Sequence, residues 1–294
     1  MSWHRRIAII GAGRMGRWFA RFFSREGIPV TVSDVNRDVL REVSEELDVT
    51  VVDNVTAVKH ANSVLLSVPL DSFRSVIGEI CPYLKPNQVV MDICSVKEVA
   101  VDIMHEYIKT GVALGSHPLF GPGAEKIEGH GWVLTPTNGR ERQFAKRVES
   151  WLEKRGARVY SMSPREHDQL MSLTLAFPHF VGLVACDTLI RSGKFLQAKR
   201  LAGSTYKLLL TLAEAVAFED PNHYGSIQMN LPKAEAFQKL FLANSREWLD
   251  IVEKRDKSRF VGKMKRLKER LKKLDPDYSI SYDAMYQLLK KSGP

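Results

Sequence analysis

Residue types and their spacing in this 294-residue chain point to two kinds of chemistry. The first is anion binding. In Ile7-Ala8-Ile9-Ile10-Gly11-Ala12-Gly13-Arg14-Met15-Gly16, a G-x-G-x-x-G turn follows an apolar run directly. Gly11 permits a tight turn, Gly13 lets a diphosphate approach the backbone, and Gly16 lets helix and strand pack closely. The backbone N–H groups that open the helix, around Ala12, Arg14 and Met15, then face the anion. Asp34 ends the next apolar run, about 20 residues on, where a carboxylate accepts from a ribose 2′-hydroxyl. It favours NAD, since a carboxylate repels a 2′-phosphate. Arg37 close behind keeps NADP as the alternative.

The second is acid–base chemistry. In a doubly wound sheet, ligands sit beyond the carboxyl ends of the strands. Three polar clusters fall there: Ser67-Val68-Pro69, assigned to the nucleotide, Cys94-Ser95-Val96-Lys97, and Ser116-His117-Pro118. Histidine titrates in the range that proton transfer needs. The plainer readings are that His117-Pro118 shapes a turn and that Ser95 caps the helix beginning near Lys97. His4, His60, His105, His130 and His223 lack metal-ligand spacing, so no metal is expected.

These groups require a scaffold. Apolar runs at Ile7–Ile10, Pro29–Asp34, Val49–Val52, Ser63–Pro69 and Gln88–Cys94 read as strands, with Trp132–Thr135 and Arg158–Met162 following. Helical stretches alternate with them, among them Asn36–Leu47, capped by Asn36, one that Asp71 can cap, and Lys97–Lys109. This alternation predicts a parallel, doubly wound (Rossmann-type) α/β domain over 1–164. From 165 to 294 the pattern is all-helical, with Pro178-His179 and Gly203-Ser204-Thr205 as interruptions. That half reads as a separate substrate and dimerisation domain.

The net charge of +9 equals the excess between Lys254 and Lys273, eleven basic residues against two acidic. The plain reading is a solvated helix with Phe260, Met264, Leu267 and Leu271 as its buried stripe. Nucleic acid is not expected as a partner, because base-stacking aromatics are sparse there, with only Phe260, and no recognition motif is evident. Cys81, Cys94 and Cys186 are widely spaced, which argues against disulfides or zinc. The first strand begins too early for a signal peptide, and no apolar run reads as long enough to span a membrane. A cytoplasmic protein is expected.

Met91-Asp92-Ile93-Cys94-Ser95-Val96-Lys97 and Gly115-Ser116-His117-Pro118-Leu119-Phe120-Gly121-Pro122, with the glycine turn, resemble the prephenate/arogenate dehydrogenases of tyrosine biosynthesis. The helical half is similar too, in Glu166-His167-Asp168, Phe177-Pro178-His179, Ser204-Thr205-Tyr206-Lys207 and Glu219-Asp220-Pro221-Asn222. The resemblance implies NAD-dependent oxidative decarboxylation of prephenate to 4-hydroxyphenylpyruvate, or the arogenate reaction, by a homodimer. It makes His117 the catalytic histidine, Ser95 the serine that orients it, and His179 a second histidine of the substrate pocket. Ser204, Tyr206 and Lys207 fall to substrate binding. The family usually has arginine where this chain has Lys207, which replaces a bidentate grip with a point charge. Gly123 falls about where some members carry a glutamate, so no role is assigned there.

Two other functions are weighed against this one. A 3-hydroxyacid or imine dehydrogenase of the same architecture would use a helical-domain lysine as base, and the His117 motif argues against it. A dinucleotide-sensing nucleic-acid-binding protein would rest on the basic stretch alone.

Overall fold

The computed structural model describes residues 3–291. The chain divides into two compact units, Met1–Met171 and Ser172–Pro294. The first runs β1 (Ile7–Ile10), α1 (Arg14–Arg25), β2 (Val30–Ser33), α2 (Arg37–Glu46), β3 (Thr50–Val51), α3 (Asn54–His60), β4 (Ser63–Leu66) and α4 (Leu70–Ile80). It continues with β5 (Val89–Asp92), α5 (Glu98–Tyr107), β6 (Val112–Pro118), β7 (Gly131–Thr135), α6 (Gly139–Glu153), β8 (Arg158–Ser161) and α7 (Pro164–Met171).

The strands form one sheet in the order β3-β2-β1-β4-β5-β6-β7-β8. Strands β1 to β6 are parallel, as expected from the helices between them. At the far edge β7 runs antiparallel to β6, and β8 parallel to β7. This corrects the expectation of a wholly parallel sheet. The connection 119–130 contains no helix, and without a crossover the chain must double back.

Alternation along β1 explains the unbroken apolar runs. Ile7 and Ile9 join a cluster with Phe19 and Phe23 of α1 and Phe144 and Trp151 of α6. Ala8 and Ile10 face the other way, toward Ala57, Phe73, Ile77 and Met104 of α3, α4 and α5. Both faces are covered, so every position of β1 is apolar. Each large side chain buried this way contributes about 1.5–3 kcal/mol. Asn36 caps α2 as expected, accepting from the amides of Asp38 and Val39. Asp71 does not cap α4; Pro69 holds the cap position and Asp71 stands in the first turn, where its charge still suits the helix end.

In the second unit a π-helical turn, Ser172–Ala176, leads into α8 (Phe177–Arg191). Then come α9 (Phe195–Arg200), α10 (Ser204–Phe218), α11 (Pro221–Asn230), α12 (Ala234–Glu253), α13 (Lys257–Leu274) and α14 (Ile280–Lys291). Pro178 lacks an amide hydrogen and crowds the carbonyl one turn back, and the wider turn absorbs it. The expected break is therefore a local widening. It leaves one 28-residue helix, Pro164–Arg191, which is long and apolar enough to cross a membrane by length and composition. That corrects the expectation that no such run exists. In this unit α8 packs along α10, where a Cβ on Gly182 would stand 2.9 Å from Val216 Cγ2.

The basic helix α13 packs on α12 through Trp248 against Phe260 and through the ion pairs Lys263–Glu247 and Arg259–Asp250. Its expected buried stripe is not buried. Phe260, Met264, Leu267 and Leu271 remain 39%, 60%, 56% and 42% exposed. Periodicity supplies an apolar face, and within the single chain that face is left largely uncovered.

Candidate functional site

The glycine turn closes over the end of β1. Gly11 adopts φ +99°, and a Cβ there would stand 2.3 Å from the carbonyl oxygen of Ser67. Gly16 is under tighter constraint, with its added Cβ 1.9 Å from the Gly11 oxygen. The segment Ser67-Val68 after β4 thus packs directly on the turn, tied by the Ser67 amide donating to the Ile10 carbonyl at 2.8 Å. Pro69 follows as the cap residue of α4.

Gly13 is different. Its φ of −61° suits any residue, and an added Cβ would meet nothing within 4 Å. The protein itself gives no reason for glycine there. Among the described residues no side chain caps α1, so the helix start opens onto that space with its positive dipole end. An open groove of about 810 Å³ lies here, lined by Ala12, Gly13, Arg14, Arg17, Val39, Pro122 and Gly123. An uncapped helix start beneath an empty approach fits a dinucleotide diphosphate. Met15 turns to the core instead.

Asp34 clamps the turn. One carboxylate oxygen accepts from the Ala12 amide at 2.6 Å and the other from the Asn36 amide at 2.8 Å. Each oxygen has acceptor capacity for a second donor. Arg37 opens α2 and is exposed.

His117 lies at the carboxyl end of β6, 6% exposed. The strands are parallel up to β6, so it shares a sheet edge with the glycine turn, three strands or about 15 Å along. Its Nδ1 meets His167 Nε2 at 2.9 Å, and His167 Nδ1 meets Asp168 Oδ1 at 2.7 Å. Asp168 in turn accepts from the amides of Lys97 at 2.8 Å and Glu98 at 2.9 Å, which caps α5. Ser95 therefore does not cap that helix. It sits in the bend before it, and its hydroxyl forms no hydrogen bond among the described residues.

The backbone beneath His117 is held by charge. Lys97 and Asp92 are fully buried and paired, and the lysine also donates to the Ser116 carbonyl at 2.7 Å. Asp92 accepts from the amides of Cys94 and Ser116. The ends of β5 and β6 are thus bound to each other. Burial lowers the His167 pKa by more than its bond to Asp168 raises it, and the Lys97 charge lowers it further.

In the helical unit His179 stands on α8, its ring stacked on Tyr224 at 4.0 Å. Burial, then the nearby His223, push its pKa down to about 4. Among the described residues, His179 Nδ1 and the Tyr206 hydroxyl are buried without hydrogen-bond partners. Such orphaned groups are costly unless something satisfies them, as a polar ligand would. Ser204 opens α10, its hydroxyl 3.4 Å from that of Tyr286. Lys207 is exposed, and its ammonium forms no ion pair among the described residues.

Asp92, Lys97, His167 and Asp168 drew no role from sequence. The available signals were charges closing an otherwise apolar strand, and an adjacent His-Asp pair in a helix's first turns.

Two family models match adjacent stretches. Residues 19–161 match the prephenate dehydrogenase nucleotide-binding domain, and residues 163–266 match the prephenate dehydrogenase dimerization domain. The chain is 29% identical over 264 residues to a probable arogenate/prephenate dehydrogenase of Methanocaldococcus jannaschii, covering 88% of this chain and 59% of that protein. It is 28% identical over 273 residues to a T-protein of Haemophilus influenzae, covering 90% and 67%. It thus spans 59% and 67% of the length of these curated relatives. The crystal structure of A. aeolicus prephenate dehydrogenase, in complex with hydroxyphenyl propionate and NAD+, matches with a TM-score of 0.75 at 23% identity. That match covers 92% of this chain and 98% of the other, and establishes the fold.

Proposed function

The chain belongs to the prephenate dehydrogenase family, and from that premise we propose that it converts prephenate to 4-hydroxyphenylpyruvate and carbon dioxide with NAD. The observation that carries this reading is His117, a buried imidazole on the sheet edge that also bears the glycine turn. His117 accepts the hydrogen of the ring hydroxyl while hydride leaves the same carbon, which relieves charge building on the oxygen. The nicotinamide, when bound, supplies the hydride acceptor. Loss of the ring carboxylate as carbon dioxide leaves its bonding pair to complete the aromatic ring. His117 then returns the proton to the phenolic oxygen.

The remaining roles follow from the chemistry of each group. Gly11, Gly13 and Gly16 shape the diphosphate site, with Ser67 and Val68 packed beneath. Asp34 receives the ribose hydroxyls and makes NAD the preferred cofactor over NADP. In the helical unit, His179, Ser204 and Tyr206 offer polar contacts to substrate, and Lys207 offers a cation to a carboxylate. Leu183, Val184, Leu208, Leu209 and Leu212 on α8 and α10 are 37–41% exposed. A second copy covers this face, which makes the enzyme a homodimer.

The test crosses prephenate and arogenate with NAD and NADP, reading reduced nicotinamide by absorbance and the products by chromatography. Turnover of prephenate with NAD is expected. Faster turnover of arogenate would reassign the substrate, and no turnover in all four mixtures would overturn the reading. Light scattering is expected to give the mass of two chains, and one chain would refute the dimer.

A further inference from the structure

We propose that His167 and Asp168 are positioning residues that hold His117 as the tautomer with its hydrogen on Nδ1, so that Nε2 is the proton acceptor. The use of that acceptor rests on the dehydrogenase reading. The tautomer is a property of the protein alone.

The assignment follows from counting donors. Asp168 takes the amide hydrogens of Lys97 and Glu98, so its carboxylate faces donors at the start of α5. A carboxylate only accepts, so the hydrogen in its 2.7 Å contact with His167 Nδ1 belongs to the imidazole. A neutral imidazole with hydrogen on Nδ1 is an acceptor at Nε2. His167 Nε2 lies 2.9 Å from His117 Nδ1, so the hydrogen between the rings belongs to His117. By the same rule the lone pair of a neutral His117 is then on Nε2. The opposite tautomer would present N–H to a substrate hydroxyl and could not take its hydrogen.

His167 itself must stay neutral for this chain to hold. The charged and titratable groups around it are Asp168 on α7, Lys97 before α5, Asp92 on β5 and His117 on β6. Burial is the largest influence, and it disfavours the imidazolium. A protonated His167 would donate from Nε2 and force His117 into the wrong tautomer. The logic is that of an acid orienting a catalytic histidine, with a second imidazole interposed.

Two variants separate this role from simple packing. His167→Asn keeps a donor near Asp168 but loses the acceptor for His117. His167→Gln places an amide oxygen near the former Nε2 and keeps the acceptor. The proposal expects kcat to fall about 100-fold in His167→Asn and to stay within about 5-fold of wild type in His167→Gln. The KM for NAD should be unchanged in both. A purely structural role expects the reverse ranking, because asparagine retains the Asp168 bond.

Long-range 15N–1H spectra of histidine-labelled protein, free of substrate and cofactor, read the tautomer directly. The His117 signals are assigned by their loss in His117→Asn. Hydrogen on Nδ1 is expected in wild type and in His167→Gln, with a shift toward Nε2–H in His167→Asn. Wild-type His117 carrying its hydrogen on Nε2 would overturn the proposal, as would equal kcat in the two His167 variants. Hydrogen on Nδ1 in a protein that turns over neither prephenate nor arogenate would sustain the tautomer and sink the activity instead.

Discussion

Gly13→Ala and Gly16→Ala separate the two reasons for a glycine in the opening turn. At Gly13 a methyl group meets nothing within 4 Å, and φ is −61°. Alanine restricts the unfolded chain, worth about 0.4–1 kcal/mol of stability. It is a poorer helix cap than glycine by about 0.5–1 kcal/mol. The net change in the cofactor-free protein should therefore be within about 0.5 kcal/mol. If a diphosphate occupies that space, the methyl overpacks it by about 1–3 kcal/mol. At 1.4 kcal/mol per decade, NAD should bind about 5- to 150-fold more weakly. At Gly16 the added carbon lies 1.9 Å from the Gly11 oxygen and 2.9 Å from its carbonyl carbon. Both are backbone atoms, so no side chain can swing aside. The loss should reach about 3 kcal/mol, the upper part of the overpacking range, with or without cofactor. Urea denaturation of the cofactor-free variants gives the stabilities, and quenching of protein fluorescence by NADH gives the affinities. Wild-type affinity in Gly13→Ala would show that the open space is not where the diphosphate lies.

Four further outcomes are expected. Lys97→Met leaves the buried Asp92 carboxylate without its cation and should cost about 3–5 kcal/mol in urea denaturation; a loss below about 1 kcal/mol would show that water reaches the pair. His117→Asn should lower turnover by about 10²–10⁴-fold while NADH binding is retained, and unchanged turnover would remove it from the chemistry. Lys207→Ala should raise the KM for substrate with kcat little changed, and a normal KM would refute its carboxylate role. His179 titrates at about 4 in the folded protein, against about 6.5 unfolded, so between those values the unfolded chain holds more protons. Stability should be full above about pH 6.5 and fall toward pH 4, with the lowered His167 and His223 adding in the same direction. Thermal melts across that window should fall more steeply for wild type than for His179→Gln, and parallel curves would contradict the assignment.

Much of the geometry around the glycine turn was legible because its constraints are local. The turn glycines, the acid closing β2 and the cap at Asn36 act within a few residues, and runs buried on both faces announce their strands. Short or disguised elements were not legible. The helix α3 has only the seven residues Asn54–His60 and little periodicity. Pro221 reads as a breaker, yet with Asp220 as cap it opens α11, where its fixed φ suits the first turn. The stripe on α13 shows the limit from the other side. Its spacing was right, but spacing does not say what will cover a face.

The reversed β7 and the unread contact at His167 share one cause. Across the sheet, His117 pairs with Val133 and Val133 with Tyr160, which brings the end of β8 level with the histidine. Helix α7 begins three residues after Ser161, and His167 lies in its first turns. The partner of His117 is thus set by the direction and register of two edge strands. Neither is encoded in any motif, because strand direction follows from the path of the connection 119–130 through space. A chain with the same His117 motif and a helix in that connection could run β7 parallel and would lose this route to His167. Its catalytic histidine would have to take its tautomer from another neighbour.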